Sequence, residues 1–553
     1  MQLPINPSLS RRDVLKLGIA AGGSTFFISK SLTAGLAGPQ ISKGGVDPGG
    51  RDGGKVPPAR ILRPWVSELP IQTPKAYGPS LMDTVNPDAH QRFWEFTPKH
   101  FYDLHVREAD HQFHPDLPPT RIFGYDGTVP GALFHSRYGE PCLVRIFNDL
   151  PANHVGFGAP EISTHLHNSH TPSESDGFPG YFHGPGTYKD HHYPMSKAGG
   201  DEREALGTVW YHDHRLDFTA QNVYRGLAGF HLFFDDKDSG DEQDTNPVAL
   251  RLPSGEFDVP MVFSDRVIGA DGQLVFDMFN MTGILGDNIA VNGKIQPFMN
   301  VKRRKYRFRI LDGGISRVYH VALSNSARFT HIANDGNLFE RPLSTKGIWL
   351  GVAERADIVI DFSTYRKGDV VYLVNRAEQF DGRGPTGKLL TPRTPLVKFI
   401  IGDSAADPSQ VPSFLRALPD INLAEVTMHR TWEFGRSNGA WTVNGKLFDV
   451  ERCDARVKRG SAEIWTLRNG GGGWAHPIHI HFEEFQMLER NGKPVAPHER
   501  CRKDVALLFP GDEVKCYWRF RDFLGRYPMH CHNLVHEDHA MMVRWDIVDG
   551  DPS

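Results

Sequence analysis

One pattern occurs three times along the 553 residues, at intervals of about 150–165. It first reads Tyr125-Asp126-Gly127, then Pro130, then the run Leu143-Val144-Arg145-Ile146-Phe147-Asn148. It returns as Val291-Asn292-Gly293, Pro297-Phe298 and Tyr306-Arg307-Phe308-Arg309-Ile310-Leu311. The third copy is Val443-Asn444-Gly445, Phe448 and Glu463-Ile464-Trp465-Thr466-Leu467-Arg468-Asn469. Asp-Gly and Asn-Gly favour tight hairpins, because both central residues of a type I′ turn need positive φ. The runs that follow alternate or are β-rich. Such a period is too long for a solenoid and fits three related β units. Two polar stretches, 235–246 and 403–419, read as linkers between them. A related strand pair is expected late in the last two units: 356–361 in one, 504–508 with 514–518 in the other. Abundant Gly and Pro, with 35 Phe, favour short strands joined by turns over a helical bundle. The expected fold is all-β: three Greek-key β-sandwiches with little helix, over 61–236, 245–402 and 420–549.

The formal net charge of −4 gives no reason to expect a nucleic-acid partner. Near the start, Arg11-Arg12 precedes a mild Gly/Ala-rich stretch that ends near Gly38. Residues 1–37 resemble a twin-arginine signal, which implies export of the folded protein to the periplasm or beyond the cell. Residues 38–60 read as a flexible leader. No stretch is long and apolar enough to span a bilayer. The five cysteines show neither CxxC pairing nor a dense framework. Four of them read as small buried apolar residues, with Cys453 and Cys501 the one pair considered for a disulfide. The fifth, Cys531, is flanked by histidines.

The 27 histidines are clustered. Four motifs stand out: His165-Leu166-His167; Trp210-Tyr211-His212-Asp213-His214; His476-Pro477-Ile478-His479-Ile480-His481; and His530-Cys531-His532, continuing to His536-Glu537 and Met541-Met542. Side chains at i and i+2 share one face of a strand, so each His-x-His pair offers two imidazoles to one side. Pairs from the first and last units can face each other and supply eight. Cys531 points away from His530 and His532 and can serve a second metal with His476 and His536. Two His, one Cys thiolate and a weak axial Met are the blue-copper electron-transfer set, and Met541 is the axial candidate. A single His-x-His pair is more often structural than metal-binding; four, interleaved with a Cys-His-Met set, point to a copper assembly. Zinc is redox-silent and does not call for such a set.

With these motifs the chain resembles the multicopper oxidases over about residues 60–549, and within them the bilirubin oxidase and bacterial spore-coat laccase branch. The stretch Gly473-Trp474-Ala475-His476-Pro477-Ile478-His479-Ile480-His481 and the run from His530 to Met542 carry the closer likeness. Asn168 departs from it, standing where glycine usually follows the first pair. The resemblance implies cupredoxin-like domains and four copper ions. It assigns His476, Cys531, His536 and axial Met541 to type 1 copper, and His165 and His479 to type 2. The type 3 pair takes His167, His212, His214, His481, His530 and His532. It also implies proton relay at Asp176 and Glu537, and oxidation of phenols, aromatic amines or tetrapyrroles at an exposed edge of His476. Trp474 either lines that approach or belongs to the core. The middle unit, with His320 and His331 as ordinary strand residues, reads as a spacer that shapes the substrate surface. The expected partners are a small-molecule electron donor and dioxygen, with the protein a monomer. Alternatives are a Cu(I) or Mn(II) oxidase and a non-catalytic structural relative. The 12 methionines form no Met-rich segment of the kind expected for Cu(I) oxidation, and the filled ligand positions argue against the structural relative.

Overall fold

The computed structural model describes residues 62–550; the expected export signal and leader lie outside the described residues. The three Asx-Gly pairs take the same turn. φ is 54° and 70° at Asp126 and Gly127, 48° and 75° at Asn292 and Gly293, and 50° and 71° at Asn444 and Gly445. Two successive positive φ values give the I′ twist that matches the strands it joins.

Around each turn the chain repeats one topology. A long strand is followed by an antiparallel return strand that leads into the turn, and the next β run pairs parallel with the long strand. The parallel partners are His100–His111 with Cys142–Asn148, Asp258–Arg266 with Lys305–Asp312, and Val426–Ser437 with Ala462–Asn469. An antiparallel neighbour then joins each run: Tyr188–Tyr193, Arg355–Asp361 and Glu513–Arg519. A second sheet closes each sandwich. In the first sandwich it contains Thr164–His167 and Thr208–Asp213; in the last, His476–Ile480, Val505–Leu508, Gly525–Cys531 and Met542–Val548. The segments expected to form a late strand pair in the last unit do not pair. Val505–Leu508 lies beside His476–Ile480, while Glu513–Arg519 belongs to the opposite sheet. Sandwich connections cross between sheets, so neighbours in sequence need not be neighbours in a ladder.

Alternation along Tyr306-Arg307-Phe308-Arg309 would ordinarily put the arginines in water. Here both are fully buried, because that sheet face packs against other protein. Arg307 pairs with Asp238 at 2.9 Å and Asp357 at 2.6 Å, and Arg309 with Asp258 at 2.7 Å. The polar stretches read as linkers supply matching charges: Asp235 meets Arg416 at 2.7 Å, and Asp407 meets Lys305 at 2.8 Å. They are therefore clamps as well as connections. Apolar contacts complete the seam, with Leu133, Trp210, Leu311, Ala353 and Val505 in one cluster drawn from all three sandwiches.

All five cysteines are free. Cys453 Sγ faces the Ala455 carbonyl at 3.0 Å and Cys501 Sγ that of His498 at 3.5 Å, so the two thiols are turned to separate partners.

Candidate metal centre

Strand register builds the site. In the first sandwich His165 lies directly across from His212 on the neighbouring antiparallel strand. In the last, His479 lies across from His530, and Ile478 across from Cys531. The His479 and His530 face looks out toward the first sandwich. The opposite face, bearing Cys531, is packed into the last sandwich's own core with Ile478, Trp441, Trp474 and Met541. One strand therefore serves two sites, as the i, i+2 spacing predicts.

On the outward face, ring nitrogens crowd. His165 Nε2 is 3.3 Å from His479 Nε2, and His167 Nδ1 is 3.4 Å from His212 Nε2. The Nε2 atoms of His214, His481 and His530 lie 3.1–3.3 Å apart. The nitrogens on the far side of these rings face acceptors. His165 Nδ1 donates to the Asp176 carbonyl (2.5 Å), His479 Nδ1 to the Asp504 carbonyl (3.0 Å) and His212 Nδ1 to the Asp213 carbonyl (2.8 Å). His481 Nδ1 donates to Asp176 Oδ2 at 2.7 Å. Glu537 lies 2.8 Å from His530 Nδ1 and 3.3 Å from His214 Nδ1. His167 turns Nε2 to Asp504 Oδ2 at 3.2 Å. With the outer nitrogens carrying protons, the inner ones present lone pairs to one another, an arrangement that calls for cations among them. The His532 nitrogens have no partner among the described residues, and its ring lies 5.2 Å from those of His167 and His212.

Electrostatics agree with metal ligation, which requires neutral imidazole. Burial, then repulsion by neighbouring imidazoles, holds His165, His167, His479, His481 and His532 far below the ordinary histidine range. Burial pushes His212 and His214 down to about 3. Burial also raises the Asp176 carboxyl. Glu537 is held low despite burial, by the imidazoles of His530 and His214 beside it.

On the other face, His476 Nδ1, His536 Nδ1 and Cys531 Sγ form a triangle of 3.2, 3.4 and 3.5 Å. Burial raises the thiol well above its usual range, so a thiolate here needs a bound cation. The Met541 backbone bonds to both sides of the triangle, its N–H to the His536 carbonyl and its carbonyl to the Cys531 N–H, each at 3.1 Å. Met541 packs in the same core as Cys531, whereas Met542 packs elsewhere with Phe178 and Phe448. A soft, buried Cys-His-His set with a methionine in the same core suits copper.

Three features depart from the sequence reading. First, His476 has no exposed edge: it and His536 are both fully buried. Second, the middle sandwich does more than space the others. Its loop carbonyl at Thr282 accepts from His536 Nε2 at 3.1 Å, and Asn533 Nδ2 approaches the carbonyls of Thr282 and Gly382. The two loops touch so closely that a Cβ on Gly382 would lie 2.2 Å from Thr282 O. Third, Asp504, in sequence simply the start of a strand run, reaches the site. It pairs bidentately with the buried Arg355 at 2.9 and 3.0 Å while facing two of the histidines. No local motif announces it, because its partners come from all three sandwiches. Asn168 takes φ 66°, which accounts for glycine being usual there, and its amide is tied to the Asp335 carbonyl.

Residues 108–238 and 420–551 each match multicopper oxidase sequence profiles. The chain is 36% identical to a bilirubin oxidase from Albifimbria verrucaria over 494 residues, covering 86% of this chain and 80% of that protein. It is 31% identical to a laccase from Bacillus subtilis (strain 168), covering 84% of this chain and 97% of that one. Its fold is similar to the crystal structure of a laccase from Pediococcus acidilactici, with TM-score 0.72, 28% identity, and coverage of 88% and 95%. Together with two copper-suited donor sets carried on three cupredoxin-like sandwiches, these likenesses show that the chain belongs to the multicopper oxidase family and is a copper oxidoreductase that uses dioxygen.

Proposed function

We propose that the chain oxidises phenols, aromatic amines or tetrapyrroles one electron at a time, and couples this to four-electron reduction of dioxygen to water. The observation that carries the reading is the position of Cys531, on one face of a strand whose other face presents His530 and His532 to the eight-histidine cluster. His476, Cys531 and His536, with Met541 beside them in the core, would hold the type 1 copper. His165 and His479 would hold type 2, and His167, His212, His214, His481, His530 and His532 the type 3 pair. When bound, the coppers supply one-electron acceptance from the donor and four-electron delivery to dioxygen.

The chain's own groups orient the rings and handle protons. Asp176 accepts from His481 Nδ1 through its side chain and from His165 Nδ1 through its backbone, so it fixes two tautomers at once. Glu537 lies against two further rings. Dioxygen reduction takes up protons, and two carboxyl groups in contact with the ligand rings are placed to pass them inward. The loops over His536 keep water from the buried triangle.

All proposed ligands come from one chain, which supports action as a monomer. Arg11-Arg12 supports export to the periplasm or beyond the cell. The deciding experiment is oxygen uptake by the copper-loaded protein with a phenol, an aromatic amine, bilirubin, Mn(II) and Cu(I) in turn. Uptake with an organic donor is expected; turnover of the metal ions alone would replace this reading with a metal oxidase.

A further inference from the structure

With both type 1 histidines buried, a donor meets other residues first. Trp441 lies against His536, ring centres 3.9 Å apart at 34°. Its indole N–H donates to the Met281 carbonyl at 2.6 Å, which seats one middle-sandwich loop on it. Trp474 meets Trp441 edge-on at 5.2 Å. The Ala475 N–H donates to the Arg383 carbonyl at 2.7 Å, which seats the second loop beside His476. Outside these rings stand two guanidinium groups. Arg436 is 4.7 Å from the Trp441 ring centre and 5.2 Å from that of Trp474, and Arg383 is 5.0 Å from Trp474.

The same two loops expose large apolar side chains: Met278 at 44%, Phe279 at 62% and Phe380 at 69%. Exposed apolar groups on two touching loops mark an interaction surface. The nearby acids are engaged locally. Asp277 accepts from the Phe279 N–H, Asp381 from the Arg383 N–H, and Glu378 from the Thr386 hydroxyl. Asp381 also lies 3.9 Å from Arg383, a long and exposed pair. Arg436 donates to the Gly439 carbonyl at 2.7 Å and otherwise meets aromatic faces, with no carboxylate against it among the described residues.

We propose that this surface is the donor-docking site, and that it selects planar aromatic donors bearing an anionic group such as a carboxylate or sulfonate. The proposal rests on the oxidase reading above and adds the substrate class to it. Apolar loop residues and indole faces suit a flat ring, while a guanidinium fork matches a carboxylate or sulfonate. A donor seated here is one or two aromatic rings from His536. The surface is open, so affinity is expected to be modest and ring size loosely restricted.

The test uses the copper-loaded enzyme and two measurements. Calorimetry follows binding of naphthalenesulfonate, which is not oxidised, against neutral naphthalenemethanol. Steady-state kinetics give the ratio of kcat/KM for a sulfonated phenol over a neutral phenol. An exposed guanidinium–anion pair is worth at most about fivefold. Arg383→Gln with Arg436→Gln should therefore weaken naphthalenesulfonate binding roughly tenfold and lower the kinetic ratio by a similar factor. Raising ionic strength on the wild type should lower the same ratio, which keeps the test valid if the double variant folds poorly. A wild-type ratio near one, or a ratio unmoved by both the substitutions and salt, would overturn the proposal. Binding needs no turnover, so the two readings separate. An inactive enzyme that still binds naphthalenesulfonate through these arginines would sink the oxidase reading and leave the site standing.

Discussion

Asp504→Ala should destabilise the protein by about 3–5 kcal/mol, the range for removing one partner of a buried ion pair. Arg355 is fully buried, and its two terminal nitrogens each hold one Asp504 oxygen, at 3.0 and 2.9 Å. What remains after the substitution is poor compensation. The carbonyls of Ala353 and Thr208 still accept, at 2.7 and 3.3 Å, but carry no charge. The other carboxylate, Asp335, is 3.9 Å away and already held by Lys503 at 2.8 Å. At 1.4 kcal/mol per decade the loss is ~10²–10⁴-fold in the folded-to-unfolded ratio. A second effect reaches the metal. His167 Nε2 loses the oxygen 3.2 Å away, while the backbone carbonyl that serves His479 survives. Losing one such ring partner should weaken copper binding ~10-fold, the low end for these groups. Denaturant unfolding and copper retention under a competing chelator measure the two effects. The double variant Arg355→Met, Asp504→Leu is the control: removing both charges should recover much of the stability but not the copper affinity. Asp504→Ala within ~1 kcal/mol of wild type, with the double variant no better, would refute the argument.

Four further outcomes are expected. Cys531→Ser should abolish the intense visible absorption of the loaded protein while the eight-histidine cluster still takes up metal; a persisting band would remove Cys531 from the site. Met541→Leu should raise the type 1 potential in a redox titration, since a weak donor is lost, and no shift would show that Met541 is not axial. Asp176→Asn keeps a hydrogen-bond acceptor for His481 but cannot cycle a proton. At full copper loading it should slow reoxidation by dioxygen roughly 10²-fold while anaerobic reduction by the donor stays fast. Burial opposes the Asp407 carboxylate, yet Lys305 and Ser409 hold it down to about 2. Its contribution is therefore present above the unfolded carboxylate range near ~3.9 and is lost as pH falls toward 2; the stability cost of Asp407→Asn should shrink over that window in acid unfolding curves.

Local pattern made most of the fold, and the histidines and cysteine that it brings together, legible. The Asx-Gly turns were visible because backbone sterics restrict which residues adopt positive φ, and all three occur as read. Candidate ligands were visible because strand pleat turns i, i+2 spacing into a shared face, and His165, His479, His530 and Cys531 lie on the expected faces. What stayed hidden depends on contacts between distant segments. The burial of Arg307 and Arg309 depends on a partner surface at Asp238 and Asp357 that the strand's own sequence does not show. Asp504 and Trp441 carry no motif, since each gains its role from a residue more than 90 positions away. The buried state of His476 and His536 follows from a loop–loop closure at Gly283 and Gly382, which no periodicity encodes. The strand at 505–508 was recognised, but a segment's sheet is chosen by the crossover that precedes it.

The eight clustered histidines come half from the first sandwich and half from the last; His165 and His479 stand 314 positions apart. Copper in such a place is a fastener between the two ends of the molecule. An ion bound only when the sandwiches are docked stabilises that docked state by mass action. The Cys531 set lies wholly within the last sandwich, but for the cluster a sandwich on its own offers half the ligands, too few to retain the metal against competitors. Metal affinity at the cluster and closure of the terminal sandwiches are then one equilibrium viewed from two sides. Scarcity of the ion would be felt first as loosening at that seam, while each β-sandwich, with its own apolar core, kept its shape.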